Sequence, residues 1–119
     1  MNGELVVVDD VPGEFAERVI EAFHTRPSDH FSLALSGGAT ARRCYERLAD
    51  VGGTQIDWWK VSVYWGDERC VPLDHEDSNY RLGREALGRG SFETALRLFR
   101  ALPGEPRWET DPRFVVNRA

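Results

Sequence analysis

Two clusters in the sequence hold residues whose types and spacing could do chemistry: Ser36-Gly37-Gly38 with Thr40, and Asp67-Glu68-Arg69. Each follows an apolar run. Glycines at 37 and 38 let the backbone turn sharply and bring its N–H groups close to a ligand. Ser36 and Thr40 add hydroxyl donors, and a helix starting after the turn would add its positive N-terminal end, so the stretch suits a phosphate. The same residues serve as a tight strand-to-helix turn, because SGG is neither a full dinucleotide fingerprint nor a P-loop. At the second cluster, carboxylates at a strand end could orient a base or move a proton. Arg69 would supply a planar, permanently charged fork for a phosphate or a developing oxyanion. The plainer reading of that cluster is a solvated turn with a local ion pair, which stabilises little.

The elements that must position these clusters are legible from periodicity. Leu5 to Val8 predicts a first strand, and Pro12-Gly13 opens a helix with Phe15, Val19, Ala22 and Phe23 at helical spacing. Phe31 to Leu35 predicts a second strand that meets Ser36-Gly37-Gly38 directly. Ala39 to Asp50 predicts a helix with Ala41, Tyr45, Leu48 and Ala49 on one face, stopped by Gly52-Gly53. Val61 to Trp65 predicts the third strand, closed by Gly66-Asp67-Glu68-Arg69. Asp77 or Ser78 then caps a helix carrying Tyr80, Arg84 and Leu87, and Ser91 caps another with Phe92, Ala95, Leu96 and Phe99 as its stripe. Strands alternating with helices define the α/β class, a parallel sheet of three or four strands covered by helices. In such sheets ligands sit beyond the carboxyl ends of the strands, so both clusters are expected to face one crevice.

Composition narrows the function. The 119 residues suffice for one domain, and 41% hydrophobic with 29% charged residues is ordinary for a globular chain. A formal charge of -5 argues against nucleic acid and anionic membranes as partners. No apolar run approaches the roughly 20 residues of a membrane span. The start MNGELVVVDD lacks a signal peptide's basic region and cleavage site, so a cytoplasmic location is expected. Cys44 and Cys70 read as reduced structural thiols, and His24, His30 and His75 lack metal-ligand spacing.

The stretches LALSGGAT and IDWWKVSVYWGDERCVPLDHEDSNYRLGREAL, taken together, resemble the N-terminal half of the 6-phosphogluconolactonase family, with glucosamine-6-phosphate deaminase in the wider group. The resemblance covers roughly residues 5 to 88. It implies a Rossmann-like fold, here an incomplete version of it, and hydrolysis of 6-phosphogluconolactone to 6-phosphogluconate in the oxidative pentose phosphate pathway, without a cofactor. It places Ser36, Gly37, Gly38 and Thr40 around a sugar phosphate lactone, Asp67 and Glu68 at the catalytic strand end, and Arg69 on substrate or oxyanion. In the family a histidine from a later segment of the form GxGxDGHxASLFP assists the water; this sequence contains no such segment, and none of its three histidines inherits the role. The chain is accordingly expected to be a single domain, family-like over 1–88 and divergent or truncated over 89–119. Three other readings stand beside the lactonase: a non-catalytic phosphosugar-binding module, a deaminase of the related amino sugar phosphate, and a phospho-accepting domain prompted by Asp9-Asp10 and Asp67.

Overall fold

The computed structural model describes residues 3–88 and the backbone of Asn117–Arg118. Helix α1 (Val11–His24) starts at Asp10, whose carboxylate accepts the Gly13 N–H at 3.2 Å, and Pro12 occupies the first turn, where no N–H is needed. Phe15, Ala16, Val19, Ile20 and Phe23 form its inward stripe. Ala22 was expected on that stripe and is exposed, because the helical period turns it outward beside the buried Phe23.

Strand β1 (Phe31–Leu35) leads through the glycine turn into α2 (Ala39–Gly52). A one-turn 3-10 helix (Trp58–Lys60), capped by Asp57, feeds β2 (Val61–Trp65). The two strands pair in parallel from Phe31↔Val61 to Leu35↔Trp65, and Gly66 N–H adds a bond to Leu35 C=O at 2.9 Å. In-register parallel pairing makes both strands end at one level, so Ser36 and Gly66 leave the sheet from adjacent points. After Gly66 the chain enters β3 (Asp67–Glu68), which pairs in parallel with β4 (Asn117–Arg118). The acidic cluster is therefore itself a short strand rather than only a turn. Helix α3 (Asn79–Gly88) follows.

The core lies where α2 and α3 cover the strands. Leu35, Leu48 and Leu87 are completely enclosed, and burying a side chain of this size stabilises the fold by about 1.5–3 kcal/mol. Trp65 and Tyr80 lie with ring centroids 5.3 Å apart, joining β2 to α3, while Phe15 and Tyr45 at 5.8 Å join α1 to α2.

The expected strand over Leu5 to Val8 is not formed. Leu5 is 90% and Val7 88% exposed, and no strand lies beside them among the described residues. β-branched residues favour strands through packing on neighbours, and without a neighbour the preference has nothing to act on. Among the described residues the strands form two parallel pairs, β1-β2 and β3-β4, rather than one sheet of three or four. The helix expected after Ser91 lies outside the described residues.

Candidate functional site

Ser36 begins the loop with its main chain held from both sides by one phenol. Its N–H donates to the Tyr45 hydroxyl at 2.6 Å, and that hydroxyl donates to the Ser36 C=O at 3.2 Å. Burial raises the Tyr45 pKa above the usual phenol value, partly opposed by the Ser36 bond. Gly38 takes φ 106° and ψ 163°, a region open essentially to glycine alone, and a side chain there would project into open space. It forms the N-cap of α2 and provides no side-chain acceptor, and the first turn of that helix contains no acidic residue. The positive end of α2 therefore meets the solvent without a carboxylate of its own.

The N-terminus of α3 is the opposite case. Glu68 is 2% exposed. Its Oε1 accepts the N–H of Asn79 at 2.7 Å and of Arg69 at 2.7 Å; its Oε2 accepts the N–H of Tyr80 at 2.9 Å and the Ser78 hydroxyl at 3.1 Å. Ser78 completes the cap, its Oγ accepting the Arg81 N–H at 3.2 Å and its C=O the Leu82 N–H at 3.2 Å. With the Ser78 N–H donating to the His75 C=O at 3.0 Å, all four N–H groups that this helix start leaves without an intrahelical partner, those of Ser78, Asn79, Tyr80 and Arg81, are satisfied. Of the two helix starts above the strand ends, one is closed by a buried carboxylate and the other is open.

Asn79 joins the two sequence clusters. Its Nδ2 donates to the Asp67 C=O at 3.0 Å and to Asp67 Oδ1 at 3.3 Å, and its own C=O accepts from Trp65 Nε1 at 3.0 Å. On its other side it lies against Gly37, where any Cβ would collide with the Asn79 amide. Gly37 is thus required for close approach. Between the open end of α2 and the start of α3 runs a cleft of about 650 Å³ whose lining includes three arginines, Arg42, Arg43 and Arg69, and two acidic residues, Glu76 and Asp77, with Gly38 and Asn79.

The sequence-predicted residues are brought together unequally. Gly38 and Arg69 line the cleft, Gly37 and Asp67 sit behind Asn79, and Glu68 lies beneath the start of α3 with both oxygens occupied. Ser36 and Thr40 are exposed, and Ser36 engages through its main chain. Sequence reasoning missed Arg42, Arg43, Tyr45 and Asn79 as parts of the site. Arg42 and Arg43 carried a readable signal, two cations in a helix's first turns where acids are favoured. Asn79 carried none beyond a helix start, and Tyr45 was expected only on the inner face of its helix.

The fold is an α/β unit whose parallel strands end in a glycine turn and a carboxylate-arginine segment, beside one cleft at the carboxyl end of its sheet. Residues 6–106 match the model of the family described as glucosamine-6-phosphate isomerases/6-phosphogluconolactonase, and the chain belongs to that family. It is 46% identical over 56 residues to a 6-phosphogluconolactonase of Nostoc sp., covering 47% of this chain and 22% of that protein. It is 49% identical over 55 residues to one of Synechocystis sp., covering 46% and 22%. The crystal structure of 6-phosphogluconolactonase from Leishmania guyanensis is similar in fold, with a TM-score of 0.63 and 27% identity over 79% of this chain and 38% of that one. The chain thus spans about a fifth of the length of the curated relatives it matches. Among the described residues no helix is long and apolar enough to cross a membrane.

Proposed function

We propose that the cleft binds the phosphorylated end of 6-phospho-D-glucono-1,5-lactone, and that the chain carries the substrate-holding part of a 6-phosphogluconolactonase. The observation that supports this reading most is the convergence of Gly38, at the open start of α2, with Arg69 and Asn79 across one cleft. The α2 N–H groups and dipole with Arg69 would hold the anion. Water adds to the C1 carbonyl, the C1–ring-oxygen bond breaks, and the ring oxygen leaves with a proton, giving 6-phospho-D-gluconate. In this reading Arg69 stays on the phosphate, and Asp67, behind Asn79, holds that side chain in the cleft wall. Glu68 acts as a positioning residue, since its oxygens hold α3 and the Arg69 N–H.

No histidine lines this cleft among the described residues, an observation favouring a second reading: a module that binds the phosphosugar without turning it over. A general base commonly contributes about 10²- to 10⁴-fold, so hydrolysis without one is expected to be slower by that order. The two readings separate on one purified sample. Lactone opening above the buffer rate supports the lactonase. A rise in melting temperature with 6-phospho-D-gluconate but no turnover supports the binding module, and neither effect removes both.

A further inference from the structure

Arg42 stands four residues beyond Gly38, whose C=O accepts its N–H at 2.9 Å, and its side chain lines the cleft. Its Nη2 lies 3.2 Å from Oε2 of Glu85 on α3. Glu85 is shared: Oε1 takes Arg81 Nε at 2.7 Å, and Arg81 Nη1 donates to the Asp74 C=O at 2.9 Å. One carboxylate is thus held by a guanidinium of its own helix and reaches across to a guanidinium of the other. Arg81 first, and Arg42 after it, draw the Glu85 pKa below the ordinary carboxylate value, so Glu85 stays charged near neutrality.

The pair between α2 and α3 is exposed enough to exchange. The side chains of Arg42 and Glu85 are 40% and 39% exposed, and pairs in that setting contribute little, about 0–1 kcal/mol. A guanidinium facing a phosphate makes shorter, charge-assisted bonds to a more highly charged group. The Arg81–Glu85 pair is as exposed but shorter, 2.7 Å against 3.2 Å, and lies within one helix, so Arg42 is the partner Glu85 gives up first.

We propose that Glu85 is the resident counter-ion of Arg42, held outside the cleft that Glu76 and Asp77 line: it pairs with Arg42 in the empty site, and an incoming phosphate monoester takes Arg42 from it. This rests on the reading of the cleft as a sugar-phosphate site and adds to it a residue that sets affinity from outside the ligand's contacts. Removing Glu85 frees Arg42, so the affinity of the site rises.

Calorimetric titration of the full chain with 6-phospho-D-gluconate at constant ionic strength tests this in wild type, Glu85→Gln, Arg42→Gln and the double variant, each first shown to retain a cooperative thermal transition. Glu85→Gln is expected to tighten binding about two- to fivefold, and Arg42→Gln to weaken it by at least as much. In the Arg42→Gln background, Glu85→Gln is expected to change nothing. Arg81→Gln gives a second check: Glu85 then has Arg42 as its remaining guanidinium, and binding weakens. Equal tightening by Glu85→Gln with or without Arg42 overturns the proposal, because the effect is then the long-range field of one charge. Wild-type affinity in Arg42→Gln also overturns it. Absence of binding by the wild type removes the sugar-phosphate reading itself, and the counter-ion role with it, a result distinct from these two.

Discussion

Glu68 Oε1 accepts the Asn79 N–H at 2.7 Å, so a carboxylate from β3 closes the first turn of α3 from outside the helix. The two residues are also bound through the neighbouring Asp67, whose C=O and Oδ1 take the Asn79 amide. The acidic strand end and the start of α3 consequently form one hydrogen-bonded unit, with Asn79 in the wall of the cleft.

The first expectation concerns that unit. Each Glu68 oxygen holds at least one backbone N–H, so neither position tolerates an amide nitrogen. Glu68→Gln is therefore expected to destabilise nearly as much as Glu68→Ala, each by about 2–4 kcal/mol for lost charge-assisted bonds and orphaned donors. Urea unfolding followed by tryptophan fluorescence measures both. A Gln variant close to wild type would show that the capping geometry contributes little.

The glycine loop separates two kinds of requirement. At Gly38 the conflict is conformational, and Gly38→Ala is expected to cost about 1–3 kcal/mol through its φ of 106°. At Gly37 it is steric: Gly37→Ala drives the new methyl into the Asn79 amide and pushes that side chain off Asp67. NMR of the Asn79 side-chain amide should show a large shift in the Gly37 variant and a small one in the Gly38 variant.

Tyr45 ties Ser36 down and gives a prediction in alkali. Its folded pKa is raised by burial, so between the unfolded phenol value near 10 and the higher folded value the unfolded chain binds fewer protons than the native one. Stability from this group is complete below that window and falls as pH rises through it. Tyr45→Phe should remove this alkaline loss, at a cost near neutrality of about 1–3 kcal/mol for the unpaired Ser36 N–H and C=O. Thermal melts from pH 8 to 11 compare the two slopes.

Acid acts elsewhere. Asp10 caps α1 and also receives Arg47 Nη1 of α2 at 2.8 Å, and the Arg47 bond first, then the Gly13 N–H, lower its pKa. A depressed carboxylate stabilises above its unfolded value of 3.8 and loses that contribution as pH falls through the folded value. Arg47→Gln should flatten the dependence of melting temperature on pH between about 5 and 2.

Much of the fold was readable because local physics dictated it. The apolar run Phe31 to Leu35, the period through Tyr45 and Leu48, and Ser78 before Asn79 each specify their element without long-range information. Leu5 to Val8 reads equally well as a strand and does not form one, because a strand exists only beside another and that condition is not written in its own residues.

The sequence by itself determined the chemical inventory: a glycine turn after one strand, two carboxylates and an arginine after the next, and a helix start to follow. Tertiary structure decided the division of labour. In-register pairing of Leu35 with Trp65 set the clusters side by side, burial committed Glu68 to capping α3, and packing against Gly37 made Asn79 the link between them. A carboxylate's role depends on what meets its oxygens, and here those donors come from residues up to 12 positions away.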